Sequence, residues 1–427
     1  LARFFSRSTR KWLYVGLGVK RWLALLFIGV TLLGLGFAYI LVDLYRTIDL
    51  PDIFYYLTLQ FISRTERALL FGVLALACVV IALYKLSQVL LAPFVGDDTN
   101  VVDRLYRQRA RKRGPKIVAL GGGTGLSTLL RGLKDHTDQL TAILTVADDG
   151  GSSGKLRREL GVLPPGDFRQ CIAAMADSEP LMSQLFQYRF GTGAGLDGHA
   201  FGNLFIAAMA GVTGSFERAI VEAGRVLAVR GNILPSTLEN VTLCADVRDD
   251  AAPRVAGESA IAQRGKPIER VYLEPEQVSA YPGVVRAILD AEIILAGPGS
   301  LYTSVLPNLL VQDVQRALAT CTALKIYICN VATQPGETDS FSVEDHYDAL
   351  ASYAGAGIFS HVLANNNFDV GFPEHSSSQM VRAEEGRARA FEMIAADVVD
   401  ESKPWRHDPK KLAREILKLY NAKSKGV

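Results

Sequence analysis

Three glycine-rich clusters hold the residues of this chain best suited to chemistry. They are Gly121-Gly122-Gly123-Thr124-Gly125, Asp148-Asp149-Gly150-Gly151-Ser152-Ser153-Gly154 and Gly297-Pro298-Gly299-Ser300. Glycine lets backbone N–H groups approach an anion with no Cβ in the way. A helix beginning at such a cluster adds its unpaired N–H groups and the positive end of its dipole. The chemistry indicated is phosphate binding, with each cluster cradling a diphosphate. Asp148 and Asp149 could bind ribose or sugar hydroxyls, or a Mg²⁺ carried on the phosphates. Without a metal, two neighbouring carboxylates would repel those phosphates. Gly166, Asp167 and Arg169 open a helix after Leu163-Pro164-Pro165. Arg169 offers bidentate charge to a phosphate, and Asp167 is either beside it or a helix cap. His199 and Asn203 belong to the densest glycine loop, residues 191–203, and are candidates to line the site. Asn330, Thr333 and Gln334 offer hydrogen bonds to a sugar or base. No Gly-Lys-Ser/Thr follows the first cluster, so it is not a Walker A loop. Leu126 stands where a dinucleotide fingerprint has its third glycine, which counts against a nicotinamide-dependent oxidoreductase.

These clusters need strand ends to hold them. Ile117 to Leu120, Thr141 to Ala147, Ile293 to Ala296 and Lys325 to Cys329 are short apolar runs. Each is followed by a Gly/Pro or polar loop, the pattern of strands buried in a parallel sheet. Ligand loops at the carboxyl edge of such a sheet mark a doubly wound α/β fold. Leu126 to Lys134 reads as the first helix, and residues 219–286 read as helix, then strands, forming an inserted second lobe. His361 to Ala364 reads as a last strand, and Leu412 to Tyr420 as an amphipathic terminal helix. The expected fold is a Rossmann-like doubly wound parallel sheet with an inserted second lobe, preceded by two transmembrane helices.

The chain has 427 residues and a net charge of +2, unevenly spread. Residues 1–115 hold 16 Lys/Arg against 7 Asp/Glu, and the remainder 30 against 37. The basic excess therefore belongs to the N-terminal region, and the main domain is not read as a nucleic-acid binder. Trp22 to Val42 is 21 residues without a charge, and Ala68 to Tyr84 another 17. At about 1.5 Å per residue these suit a membrane hairpin. The first run is too long for a signal peptide and lacks a small-residue cleavage site. Basic flanks, Arg3 to Arg21 before and Arg104 to Arg113 after, place both ends in the cytoplasm. The expected organisation is a basic cytoplasmic N-terminus (1–21), a transmembrane hairpin (22–91), a basic linker (92–115) and a phosphate-binding α/β domain (116–427). The five cysteines are scattered and read as reduced thiols.

Six segments in order give a family resemblance: GGGTGLSTLLRGLK, DDGGSSGKLR, PPGDFRQC, GHAFGNL, GPGSLYTSVLPNLL and NVATQPGET. They resemble the gluconeogenesis factor (YvcK-type) branch of the family that also contains the 2-phospho-L-lactate transferases. The resemblance spans about Lys116 to Asn366. It implies a domain that binds a UDP-sugar, UDP-N-acetylglucosamine or UDP-glucose, with no established catalytic activity. It also implies a need for the protein in cell shape and wall synthesis during gluconeogenic growth. Wall-precursor or morphogenesis proteins would be its partners, and a homodimer its assembly. The transferase branch, which uses a nucleotide-activated donor and Mg²⁺, is the alternative. That branch carries an S-P-D-x-D-T type segment where this chain has Pro164-Pro165-Gly166-Asp167. Gln170 and Ala332 depart from the usual Asn and Met, and the two apolar runs are extra to shorter members. The domain is therefore expected to be membrane-tethered and to face the cytoplasm.

Overall fold

The computed structural model describes residues 19–47, 53–57, 59, 61–91, 110–177, 180–191, 195–248, 254–372 and 376–424. The chain divides into two compact units, Leu1–Arg109 and Ala110–Val427. The first holds α1 (Val19–Thr47), the short α2 (Ile53–Leu57) and α3 (Arg64–Leu91). Leu25–Leu44 and Arg64–Ala82 have mean hydropathies of 2.5 and 2.0 and contain no buried stretch. By length and composition, both are able to cross a membrane. The basic N-terminus before Val19 and most of the basic linker lie outside the described residues.

In the second unit β1 (Ile117–Gly121) runs into α4 (Gly123–Leu133), β2 (Leu140–Leu144), α5 (Gly151–Leu160) and α6 (Gly166–Met175). Next come α7 (Pro180–Gln187), α8 (Phe201–Thr213), α9 (Phe216–Val226) and β3 (Asn232–Pro235). The inserted lobe is β4 (Thr242–Val247), β5 (Arg254–Ala256), α10 (Glu258–Arg264) and β6 (Ile268–Glu274). The chain returns through α11 (Pro282–Leu289) to β7 (Ile293–Ala296) and a π-helical turn, Leu301–Val305. That turn continues as α12 (Leu306–Leu309), then α13 (Gln312–Thr320), β8 (Leu324–Ile328), α14 (Val343–Ala354), β9 (His361–Asn365) and β10 (Glu392–Ala396). A hairpin, β11 (Val399–Asp400) and β12 (Lys403–His407), leads to α15 (Pro409–Ser424).

The main sheet has the order β10-β9-β8-β7-β1-β2-β3 with every pair parallel. The lobe is a three-stranded antiparallel sheet, β5-β4-β6. Every residue of β1, β2 and β7 is buried, as a strand covered on both faces requires. In α4, Leu126, Leu129, Leu130 and Leu133 recur at helical spacing and are fully buried, while Arg131 faces out. After β1 the chain moves toward β2 and β3, while β7 to β10 fill the other side. The switch between the two directions lies between β1 and β7, where loops diverge and leave a crevice.

The structure moves several boundaries. Gly123, Thr124 and Gly125 are the first turn of α4 rather than a loop before it, and Gly151 to Gly154 are the first turn of α5. Asn203 lies in the first turn of α8. Cys171, Cys244, Cys321 and Cys329 are buried free thiols, and Cys78 is exposed. β10 and the β11–β12 hairpin have no counterpart in the sequence reading. Their strands are short and lack an apolar alternation strong enough to stand out. Asp246 lies in β4 and pairs with Arg270, while Asp249 and Asp250 lie outside the described residues.

α15 packs against α4 at Gly132, where an added Cβ would lie 1.9 Å from the Pro409 carbonyl oxygen. Gly132→Ala should therefore destabilise the domain by about 1–3 kcal/mol through overpacking. Thermal melting of the purified variant checks this, and an unchanged melting temperature would contradict the close packing.

Candidate functional site

α4 opens on Gly122, whose extended backbone caps the helix with no side-chain hydrogen bond. The carboxyl of Asp167 takes the Gly123 N–H. Gly123 has φ +61, and a Cβ there would meet nothing within 4 Å. Gly125 lies against the loop after β7, where a Cβ would be 2.4 Å from the Pro298 carbonyl oxygen. That loop is held from behind. The Asn330 amide donates to Gly299 O at 2.8 Å and accepts from Gly299 N at 3.2 Å. Ser300 caps the π-helical turn, accepting from Thr303 N at 3.1 Å. Asn308, in α12, donates to the Gly121 carbonyl at 3.1 Å and to Ser304 O at 2.9 Å, so it ties β1 to the same turn.

Between the two loops lies a cavity of about 440 Å³. It brings together Gly122, Gly123, Thr124, Gly125, Pro298, Gly299, Ser300, Asn330, Thr333 and Gln334 from the sequence-derived set. Gly121 and Gly297 are the buried residues behind those loops and do not line it. Asn330 and Thr333 are not free. Asn330 holds Gly299, and Thr333 Oγ1 accepts from Gln379 N at 2.9 Å. The cavity also holds residues that sequence reasoning passed over, chiefly Glu258, Thr303, Glu337, Trp405, Arg406 and His407. Glu258 opens a helix in the inserted lobe with no motif around it. The only sequence signal for the last three is an aromatic residue beside an arginine, on a strand that was not foreseen.

The remaining candidates form a scaffold behind the cavity. Asp149 Oδ1 accepts from Ser259 N at 2.9 Å, and so caps α10. Asp148 Oδ1 accepts from Gly150 N at 2.9 Å. The Ser153 hydroxyl accepts from Gly166 N at 3.0 Å, joining α5 to α6. His199 Nδ1 lies 3.0 Å from the Ser152 hydroxyl, to which Asn203 donates at 3.0 Å. Arg169 Nε donates to Asn203 Oδ1 at 2.9 Å, and its guanidinium also bonds Gln187. Ser152, Arg169, His199 and Asn203 are all buried. Gly150, Gly151 and Gly154 belong to the cap and first turn of α5. Among the described residues, no group of three or more His, Cys, Asp or Glu is arranged to hold a metal. Asp148 Oδ1 and Asp149 Oδ1 are turned to different backbone N–H groups.

The electrostatics follow from burial. Desolvation, then the charge of Asp148, pushes the Asp167 carboxyl up to about 6. Desolvation, then Asp148, Asp167 and Asp149, pushes Glu258 up to about 9. Burial also raises Glu337, which receives the Ser300 hydroxyl and the Tyr302 N–H. Burial lowers His407 to about 4, with its Nε2 3.2 Å from the Cys329 carbonyl. Because a carbonyl only accepts, that nitrogen carries the proton. At the rim Trp405 is 48% exposed and Arg406 is exposed.

The model of the family described as 2-phospho-L-lactate transferase CofD matches residues 117–422. A gluconeogenesis factor of Bacillus subtilis is 45% identical, over 71% of this chain and 98% of its own length. A Nostoc protein, provisionally named a gluconeogenesis factor, is 42% identical over 97% of this chain and 93% of its own. The crystal structure of a UPF0052-family protein from Bacillus halodurans matches with a TM-score of 0.66 and 42% identity. It covers 71% of this chain and 99% of that one. The Nostoc match thus covers nearly the whole of this chain, apolar N-terminal helices included, whereas the two Bacillus matches cover 71% of it.

Two outcomes follow from this geometry. Gly123→Ala should cost only the left-handed penalty, about 1–2 kcal/mol. The sequence alone suggests that a branch at Gly123 fills the phosphate site without harm to the fold; φ +61 adds this strain. Gly125→Ala should push the two loops apart and cost about 1–3 kcal/mol. Urea unfolding of both variants measures the difference. Separately, His407 is neutral when folded, so the unfolded chain binds the extra proton between pH 6.5 and about 4. His407 by itself should contribute a loss of about 3 kcal/mol as pH drops through that window, against the opposite contributions of Asp167 and Glu258. Melting temperatures of wild type relative to His407→Gln across that range check the sign.

Proposed function

Because the chain belongs to the 2-phospho-L-lactate transferase CofD family, among its gluconeogenesis factors, we propose that it is a UDP-sugar-binding regulator and not a turnover enzyme. The observation that carries this reading is the cavity at the β1/β7 switch point. It is floored by the first turn of α4 and the loop after β7, and rimmed by an exposed Trp405 and Arg406. Its volume of about 440 Å³ is in the usual range for small-ligand sites. Unpaired N–H groups of a helix start and a rim arginine suit a diphosphate. A half-exposed indole suits the flat face of a base. The Thr333 hydroxyl proton and the Gln334 amide N–H, which the bonds within the wall do not use, suit sugar hydroxyls. The Asp148/Arg169/His199 scaffold, in which Arg169 and His199 are buried, supports the cavity rather than touching the ligand.

The two apolar helices act as a membrane hairpin with both termini in the cytoplasm, which tethers the ligand-binding domain to the inner face. Tethering places the sensor beside wall-precursor or morphogenesis proteins, in keeping with a role in cell shape and wall synthesis during gluconeogenic growth. UDP-N-acetylglucosamine or UDP-glucose would be the signal, with any Mg²⁺ arriving on the diphosphate.

Calorimetric titration with UDP-N-acetylglucosamine, UDP-glucose, GTP and NAD, each with and without Mg²⁺, tests the reading. Binding of a UDP-sugar, recovered intact, is the expected result. Arg406→Ala should weaken it about tenfold or more. Binding of GTP alone, followed by its consumption with a deazaflavin acceptor, would replace the regulator with a transferase.

A further inference from the structure

Asp149 does not line the cavity, yet it holds a piece of the cavity wall. Both of its carboxylate oxygens are turned to the start of α10. Oδ1 accepts from Ser259 N at 2.9 Å. Oδ2 lies against Gly257, where an added Cβ would be 2.2 Å from it. Gly257 also has φ +101, so both conformation and space require glycine there. Gly150, next to Asp149, approaches as closely: a Cβ on it would be 2.7 Å from the Ser259 hydroxyl. Between Gly257 and Ser259 stands Glu258, the residue of the inserted lobe that lines the cavity. The far end of α10 is held as well. A Cβ on Gly336 would be 2.7 Å from Cα of Gly265, the residue that ends α10. That end therefore rests on the loop that carries Asn330, Thr333 and Gln334. With both ends fixed, α10 has little freedom to carry Glu258 away from the cavity.

We propose that Asp149 is a positioning residue for sugar selection: it holds the start of α10 so that Glu258 meets the sugar of a bound sugar nucleotide. A carboxyl oxygen accepts a hydrogen bond from a sugar hydroxyl or an amide N–H, whether or not the group carries a proton. An ionised diphosphate offers acceptors only, and so gives that oxygen nothing to bind. Glu258 therefore reads the part of the ligand that distinguishes a UDP-sugar from UDP. The first turn of α4 and Arg406 hold the diphosphate, and the inserted lobe adds the preference. The proposal rests on the sugar-nucleotide reading above.

The test is titration of UDP-N-acetylglucosamine and of UDP into the full chain in detergent, for wild type and four variants. Asp149→Ala removes the cap of α10. It should weaken UDP-N-acetylglucosamine about tenfold and leave UDP unchanged. Retained UDP binding also shows that the variant is folded. Asparagine caps a helix as well as aspartate does, so Asp149→Asn should keep the preference for the sugar. Glu258→Ala leaves the cap in place and should show the same selective loss. In the double variant, Asp149→Ala with Glu258→Ala, the two losses should not add, because Asp149 acts through Glu258. Equal weakening of both ligands by Asp149→Ala would make the residue merely structural and overturn the inference. A loss in Asp149→Asn, additive losses in the double variant, or full sugar-nucleotide binding by Glu258→Ala would overturn it too. Each of these leaves the UDP-sugar reading intact. Failure of the wild type to bind UDP-N-acetylglucosamine would overturn both. Should Asp149→Ala not fold, Asp149→Asn and Glu258→Ala decide the matter by the same two ligands.

Discussion

The contact on which this site depends is the one between Gly125 and the Pro298 carbonyl. β1 and β7 are parallel neighbours, and their chains leave the sheet in opposite directions. Such an arrangement opens a gap at the carboxyl edge. Here the gap is kept narrow because the first turn of α4 presents no Cβ to the loop opposite. Backbone polar groups from both loops can then face one small volume. The surrounding bonds serve this closeness: Asn308 pins the end of β1, Asn330 pins Gly299, and Ser300 pins the turn that follows.

A second constraint is electrostatic. Asp148, Asp149, Asp167 and Glu258 crowd one side of the cavity, and most of their charge is consumed or suppressed. Asp149 caps α10, Asp148 holds Gly150, and Asp167 takes the Gly123 N–H. Unpaired buried carboxylates would be costly, so the three aspartates are hydrogen-bonded, and burial raises Asp167 and Glu258. The same economy explains Arg169. Its guanidinium is spent inside, on Asn203 and Gln187, in a network that fixes α5, α6 and α8 to one another.

The sheet was legible because its central strands are covered on both faces and so read as unbroken apolar runs. Ile293 to Ala296 reads the same in sequence and structure. The glycine clusters were legible as places of close approach. Their neighbours were harder, because a polar residue looks the same whether it faces a ligand or another group of the protein. Asp149, Arg169 and His199 are of the second kind. Glu258 and Trp405 to His407 were missed for another reason. They come to the cavity only through tertiary folding, from an inserted lobe and a late hairpin, and carry no local pattern of their own.

That late hairpin has a consequence for how the protein is made. Its floor, Gly122 to Gly125, emerges from the ribosome nearly three hundred residues before its rim, Trp405 to His407. β12 then leads within two residues into α15, whose first residue packs on Gly132. The pocket is therefore completed only once this hairpin has been synthesised, well after its floor. A copy that stops short of Trp405 keeps the floor of the pocket and lacks its rim.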